Sequence, residues 1–200
     1  MKKIVYLISP NEIKKQFYSD LNKVLSYGNV KFFQLRLKNI KKDNLINIAK
    51  KIRKITFKHK VKLIINDNFN LVSKIKADGC HMGQLDGSIK IAKKKLKNKI
   101  LGITCHDSIE LAKEAVKQKV NYVAFGSFFK SKLKPKAKKA DPKIMINVKK
   151  KIKCPIVVIG GINNLNYKKF IKLGAKYIAI SSFIWDNPKL KPEIAIKKFK

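Results

Sequence analysis

Two aspartates end short apolar segments in a chain that is otherwise poor in acids. The segment KLIINDNFN (62–70) passes from apolar residues into Asn66 and Asp67, and CHMGQLD (80–86) ends in Asp86. The chain has 48 Lys and Arg against 12 Asp and Glu. Mg²⁺ is usually held by one or two carboxylates together with water and substrate phosphates. Taken singly, either aspartate is more typical of a helix cap; taken together, they indicate a magnesium site at least as strongly.

A second group of polar residues, in the segment QLRLK, could bind a diphosphate. It contains Gln34, Arg36 and Lys38, and Arg occurs elsewhere only at position 53. A guanidinium fork and an ammonium point charge are the donors that phosphate oxygens prefer. For Arg36 alone, an ordinary alternating strand with basic residues facing solvent is an equally good interpretation.

Glycine and serine pairs follow the last two apolar runs of the chain. Gly160 and Gly161 end one run, and Ser181 and Ser182 end the next. Backbone N–H groups and hydroxyls at these positions bind phosphate monoesters in many (β/α)8 barrels. Thr104 and two histidines, His81 and His106, also stand at ends of apolar runs, and for the histidines a structural hydrogen-bonding role is the expectation.

Eight short apolar runs could place these residues at one rim. These runs are separated by stretches whose apolar residues have helical spacing, for example Leu45, Ile48, Ile52 and Ile55. Regular alternation of strand and helix predicts βαβ units and a parallel sheet. Eight such units within 200 residues indicate a single-domain (β/α)8 TIM barrel spanning residues 1–200. The predicted strands are 4–9, 30–37, 62–67, 79–83, 100–105, 122–128, 155–161 and 177–183.

Charge and composition limit the classes of function. The formal net charge is +36, but nearly all the cations are Lys spread over every polar segment. A nucleic-acid reader would more often concentrate Arg on one element, so we expect no specific nucleic-acid partner. No apolar run approaches the ~20 residues that span a bilayer. The start MKKIVYLISP shows no cleavage site, and the three Cys show no CxxC spacing; a cytoplasmic protein without a membrane partner is expected.

The motifs taken together resemble the thiamine-phosphate synthase family. YLIS, QLRLK, IINDN, ADGCHMGQLD, LGITCHD, YVAFGSFF, IGGI and AISSFIW occur in family order over nearly the whole chain. The resemblance implies a transferase that joins hydroxymethylpyrimidine diphosphate to a thiazole phosphate and releases diphosphate. It also implies a dissociative reaction in which diphosphate leaves first, a pyrimidine-stabilised carbocation forms, and the thiazole nitrogen attacks.

The same resemblance assigns roles to individual residues. Gln34, Arg36, Lys38 and Asn66 would hold the pyrimidine and its diphosphate, Thr104 stands where the family usually has Ser, and Asp67 and Asp86 would bind Mg²⁺. The resemblance implies that Arg36, Lys38 and Lys134 act on the departing diphosphate, whereas Gly161, Ser181 and Ser182 grip the thiazole phosphate.

One loop departs from the family pattern. Where the family commonly has Thr-x-Thr-Lys, this chain has Ser131-Lys132-Leu133-Lys134, which keeps one hydroxyl. Two alternatives stay open: a related barrel group that isomerises the thiazole, which uses a His in this loop, and a basic nucleic-acid-binding protein. The loop here reads GSFFKSKLK, without His, which favours the transferase. The sequence does not determine the oligomeric state.

Overall fold

Eight parallel strands close into a barrel in strand order 1 to 8. The computed structural model describes residues 2–129 and 139–200. The predicted (β/α)8 fold class is confirmed, and each of the eight predicted runs corresponds to one strand, with β5 ending one residue beyond its predicted run. The strands are β1 (Val5–Ile8), β2 (Val30–Leu35), β3 (Lys62–Asn66), β4 (Gly79–Met82), β5 (Ile100–His106), β6 (Tyr122–Phe125), β7 (Ile156–Ile159) and β8 (Tyr177–Ile180).

Helices follow the strands and cover the outside of the barrel. Ser108 caps the start of α5, because its hydroxyl accepts a hydrogen bond from the Leu111 N–H. A short 3₁₀ helix, Ile196–Lys198, lies near the end of the described residues. The α-helices are α1 (Phe17–Ser26), α2 (Lys42–Lys58), α3 (Leu71–Ile75), α4 (Ile89–Leu96), α5 (Ile109–Lys117), α6 (Ile144–Lys151), α7 (Tyr167–Lys172), α8 (Ser182–Trp185) and α9 (Pro192–Ala195).

Most strands end before the polar residues that follow them in the predicted runs. β2 stops at Leu35 rather than position 37, and β8 stops at Ile180 rather than 183. Arg36 and Lys38 after β2 and Ser181 and Ser182 after β8 line the mouth of the barrel instead of continuing the ladder. The pair Asp141-Pro142 predicts a helix start, because Pro fits the first turn, but α6 begins at Ile144. The Asp141 carboxylate accepts a hydrogen bond from the Lys143 N–H, 2.8 Å away, and forms a turn before the helix.

The apolar residues form two layers. One lies between the strands and the surrounding helices, and the other fills the barrel interior with Tyr6, Phe32, Ile64, Tyr122 and neighbouring residues. Because side chains alternate along a strand, every second residue faces the interior, and the series from Phe32 ends in polar side chains at the mouth.

Gly102 makes room for a large interior ring. A Cβ atom at this position would lie 1.9 Å from Cζ of Tyr122. The missing side chain on β5 therefore lets the Tyr122 ring lie across the barrel axis, where its hydroxyl reaches the hydroxyl of Tyr6 at 2.7 Å.

Asp78, just before β4, ties α2 to the strands. Its carboxylate accepts from Arg53 of α2 at 2.5 Å, from the Lys62 ammonium at 3.2 Å and from the Leu63 N–H at 2.8 Å. The Asp78 side chain is 14% exposed, so these contacts are partly shielded from water. Removing one partner of such a group leaves the other charges uncompensated.

We expect Asp78→Asn to lower the free energy of unfolding by about 1–3 kcal/mol, because the amide keeps an acceptor but loses the charge. Urea denaturation measures this change in the free energy of unfolding. Glu114→Gln, which removes the same charge from an exposed site on α5, is the matched control and should stay within about 0.5 kcal/mol of wild type. Equal losses in both variants would show that net charge, not this contact, determines the effect.

Within residues 2–129 and 139–200, no helix has the length and apolar character needed to cross a membrane.

Candidate active site

A cavity of about 920 Å³ opens at the carboxyl ends of the strands. Its volume lies in the range of small-molecule sites. The structure brings all ten of the predicted site residues that it describes to the wall of this cavity; Ser131 and Lys134 lie outside the described residues. The ten are Gln34, Arg36, Lys38, Asn66, Asp67, Asp86, Thr104, Gly161, Ser181 and Ser182.

The two aspartates face the same part of the cavity. Asp67 has a left-handed backbone, φ 63°, which Asp adopts more readily than most residues, and its N–H donates to the His81 carbonyl at 2.7 Å. Its carboxylate forms an ion pair with Lys38. Asp86 accepts a hydrogen bond from the Gly83 N–H at 2.6 Å. Neither carboxylate caps a following helix, since no side-chain cap bond is made at α3 or α4.

Burial raises the pKa of Asp86, and the nearby carboxylate of Asp67 raises it further, against the opposing effect of the Gly83 N–H. The two carboxylates lie together at the cavity wall, beside one ammonium group. Such a pair of carboxylates provides the oxygen ligands that a hard divalent cation prefers. Among the described residues there is no cluster of three or more His, Cys, Asp or Glu placed to hold a metal. A pair of carboxylates nevertheless fits Mg²⁺, whose other ligands are commonly water and phosphate oxygens.

Arg36 is fixed through its backbone by a buried serine. The Ser9 hydroxyl donates to the Arg36 carbonyl at 3.2 Å and accepts from the Arg36 N–H at 3.0 Å. The Ser181 hydroxyl in turn donates to the Ser9 carbonyl at 3.0 Å. Burial lowers the pKa of the Arg36 guanidinium, and the charge of Asp67 partly offsets this. Ser9 therefore links the ends of β2 and β8 across β1, a role that the sequence analysis did not predict.

The glycine pair after β7 forms a closely approached turn. Gly160 and Gly161 have φ values of 99° and 61°. A Cβ atom on Gly160 would lie 2.0 Å from the Ser127 hydroxyl oxygen, so no larger residue fits without displacing Ser127. The Asn166 amide donates to the Gly161 carbonyl at 3.0 Å. The turn is therefore held from both sides, and Gly161 lines the cavity.

A chain of hydrogen bonds runs through the barrel interior beneath the cavity. The Gln34 amide nitrogen donates to the Tyr6 hydroxyl at 2.9 Å, and the Tyr6 and Tyr122 hydroxyls are 2.7 Å apart. Nδ1 of His81 lies 3.1 Å from the Tyr122 hydroxyl, and Nε2 lies 2.8 Å from the Thr104 hydroxyl. The hydrogen-bonding role expected for His81 is thus observed.

His106, the other histidine of the prediction, lies at the cavity wall with a left-handed backbone, φ 51°. The tyrosines of the interior chain were not predicted, because Tyr6 and Tyr122 are 116 residues apart in sequence and each is an ordinary apolar position of its own strand. The one available signal was Gly102, a glycine inside a predicted strand, which often marks a close approach.

The fold and the cavity together define a (β/α)8 barrel with a basic and carboxylate-bearing site at the carboxyl ends of its strands, the usual position of barrel active sites. Residues 5–184 match the family described as thiamine monophosphate synthase. The chain belongs to this family, and the family and transferase class predicted from the motifs are confirmed.

Curated relatives and solved structures agree with this assignment. The chain is 50% identical to the thiamine-phosphate synthase of Pelagibacter ubique over 200 residues, which cover 100% of this chain and 97% of that protein. It is 37% identical to the thiamine-phosphate synthase of Erythrobacter litoralis, over 92% and 88% of the two chains. The thiamine phosphate pyrophosphorylase of Pyrococcus furiosus superposes with a TM-score of 0.87 at 26% identity, over 98% and 93% of the chains.

Proposed function

We propose that the chain condenses hydroxymethylpyrimidine diphosphate with hydroxyethylthiazole phosphate to give thiamine phosphate and diphosphate. The observation that supports this best is that the two groups of residues predicted to bind phosphates line one cavity. Gln34, Arg36, Asp67 and Asp86 come from the ends of β2 to β4, and Gly161 and Ser182 come from the ends of β7 and β8. In a closed barrel of eight strands these groups lie on opposite sides of the mouth.

The side formed by β2 to β4 would hold the diphosphate. Arg36 and Lys38 supply charge-assisted donors, and the half-buried position of Arg36 strengthens its electrostatic effect relative to a group in water. Asp67 and Asp86 would hold Mg²⁺, which when bound supplies positive charge to the diphosphate oxygens. Lys38 forms its ion pair with Asp67 in the structure, so we propose that it turns to the substrate when the cation is present.

The side formed by β7 and β8 would hold the thiazole phosphate. Gly161 lets the backbone approach the phosphate closely, and Ser181 and Ser182 lie at the start of the short helix α8. The Ser182 hydroxyl is the side-chain donor of this pair, because the Ser181 hydroxyl donates to the Ser9 carbonyl. A phosphate at this place in a barrel accepts from backbone N–H groups and hydroxyls. This phosphate does not react, so the contacts serve to position the thiazole nitrogen.

The reaction needs stabilisation of the leaving group more than it needs a base. The bond between the pyrimidine methylene carbon and the diphosphate oxygen breaks with both electrons on oxygen, and the thiazole nitrogen then donates its lone pair to that carbon. No proton has to be removed from the nucleophile. Arg36 and Lys38 act on the charge that develops on the departing oxygens. Lys134, which the resemblance places at the diphosphate, and Ser131, the hydroxyl that remains in the loop that would contact the thiazole, stay predictions.

The alternatives that the sequence left open are less well supported. The carboxylate pair and the QLRLK cations both line the cavity, as a diphosphate substrate requires and as an isomerase of the thiazole does not. We also propose that the protein works in the cytoplasm, where its free thiols Cys80, Cys105 and Cys154 stay reduced, and that no specific nucleic acid is bound.

Purified protein with both thiamine precursors and Mg²⁺ should form thiamine phosphate and diphosphate in equal amounts. Omitting either precursor should abolish both products. Conversion of the thiazole phosphate alone to an isomer, with no use of the pyrimidine diphosphate, would contradict the proposal and favour the isomerase.

A further inference from the structure

The buried chain from Gln34 to Thr104 has a defined donor and acceptor order. Among the residues that the structure describes, the Tyr6 hydroxyl oxygen has two side-chain contacts, with Gln34 and with Tyr122. Gln34 is the donor in the first contact, because its amide N–H has no acceptor role. The Tyr6 proton is therefore left for the Tyr122 oxygen.

The order continues to the cavity wall. With its oxygen accepting from Tyr6, Tyr122 directs its proton to Nδ1 of His81 at 3.1 Å. An imidazole that accepts at Nδ1 and is neutral carries its proton on Nε2. Nε2 then donates to the Thr104 oxygen at 2.8 Å. Because that oxygen already accepts, the Thr104 hydroxyl has its proton available for a ligand in the cavity that it lines.

Burial keeps the two tyrosine hydroxyls of this chain protonated. Tyr6 and Tyr122 are 1% exposed, and their burial raises the pKa of both hydroxyls far above the usual value. Both phenols therefore keep their protons at neutral pH. The ring of Tyr122 is also stacked on the ring of His81, with an interplanar angle of 5°, which holds the imidazole plane and leaves little freedom for a ring flip.

We propose that Tyr6, Tyr122 and His81 are positioning residues that make the Thr104 hydroxyl an obligate hydrogen-bond donor to a ring nitrogen of the pyrimidine substrate. A pyrimidine nitrogen presents a lone pair and no proton. If the Thr104 hydroxyl instead donated its proton to His81, it would turn its own lone pair toward the lone pair of the pyrimidine nitrogen, and no hydrogen bond would form. This proposal rests on the proposed function, because it deepens the recognition of the pyrimidine at the same site.

Tyr122→Phe tests the chain, since it removes the link between Tyr6 and His81 while keeping the ring. We expect the KM for the pyrimidine diphosphate to rise roughly 3- to 10-fold, the range of one lost neutral hydrogen bond. The KM for the thiazole phosphate should change less than about twofold, because that substrate lies on the other side of the mouth. The matched control is Tyr177→Phe. Tyr177 also packs in the barrel interior, against Phe32, and its hydroxyl shows no hydrogen bond to the described residues.

A double-mutant cycle separates positioning from loss of packing. Thr104→Val removes the donor itself, and adding Tyr122→Phe to it should raise the pyrimidine KM no further, because the chain acts through that hydroxyl. Thr104→Ser, which restores the residue usual in the family, should keep the sensitivity to Tyr122→Phe. Independent, multiplicative effects of Tyr122→Phe and Thr104→Val would overturn the proposal.

A spectroscopic measurement on the wild-type chain covers the case in which Tyr122→Phe fails to fold. The ¹⁵N signals of His81, assigned with His59→Gln and His106→Gln variants, should show the neutral imidazole with its proton on Nε2. The opposite tautomer would overturn the proposed order. If wild type and Tyr177→Phe make no thiamine phosphate, the proposed function fails; if both are active and Tyr122→Phe has an unchanged pyrimidine KM, only the present inference fails.

Discussion

Asp67→Asn and Asp86→Asn are each expected to leave the barrel folded and to remove most of the Mg²⁺-dependent turnover. Each substitution keeps the size of the side chain and takes one negative charge from the pair at the cavity wall. A metal ion supplies several kcal/mol of charge stabilisation to a phosphoryl leaving group, so we expect turnover to fall on the order of 100-fold or more. Steady-state rates over a range of Mg²⁺ concentrations measure this effect.

The hydrogen bonds of the two aspartates predict a difference between the variants. Asp67→Asn also releases Lys38 from its ion pair, whereas Asp86→Asn can keep accepting from the Gly83 N–H through its amide oxygen. Calorimetric titration of Mg²⁺ in the presence of diphosphate should show weaker binding in both. Asp43→Asn, at an exposed position in the first turn of α2, is the control for net charge. Near-wild-type rates of both variants at limiting Mg²⁺ would show that the carboxylates are not the metal ligands.

The positions of these carboxylates were predictable because strands that are consecutive in the sequence are neighbours around the rim of a barrel. Alternation of apolar runs and helical spacing predicted eight parallel strands, and the carboxyl ends of parallel strands meet at one face. Asn66, Asp67 and Asp86 needed only that topology to come together. The last residue of each strand was less predictable, since the sequence does not show where strand pairing stops and side chains begin to enter the cavity.

The contacts that support the rim residues were not predictable in the same way. Ser9 looks like the last residue of an apolar strand, yet its hydroxyl and carbonyl connect Arg36 with Ser181. The contact between Tyr6 and Tyr122 depends on rings that cross the barrel and on the space left by Gly102. Such pairs are set by packing between distant strands and leave no local pattern in the sequence. Residues that line the cavity could therefore be predicted from position and type, whereas the residues that hold them in place required the structure.

Arg36→Ala is expected to lower kcat and kcat/KM together, with a loss on the order of 2–4 kcal/mol in transition-state stabilisation. The guanidinium is half-buried at the cavity wall beside Asp67, where by our proposal it acts as a charge-assisted donor to the diphosphate as it leaves. Arg36→Lys keeps the charge and loses the bidentate fork, so its activity should lie between that of the wild type and that of Arg36→Ala. Lys58→Ala, at the last residue of α2 and so at the opposite end of the barrel, removes one exposed charge and should leave the rates unchanged.

Substitution at Gly161 should damage the other substrate. Gly161→Val is expected to raise the KM for the thiazole phosphate with a smaller effect on kcat, because it blocks the approach of the backbone to a phosphate that does not react. Gly161 has a left-handed backbone, φ 61°, which Asn tolerates far better than a β-branched residue. Gly161→Asn therefore distinguishes the effect of an added side chain from the effect of a distorted turn. A small rise in the thiazole phosphate KM for Asn, together with a large rise for Val, would assign the contact to the backbone. Varying one substrate at a time distinguishes the two sides of the mouth. Should Gly161→Val leave the thiazole phosphate KM intact, or Arg36→Ala alter only that KM, the assignment of the two sides to the two substrates must be discarded even if the protein makes thiamine phosphate.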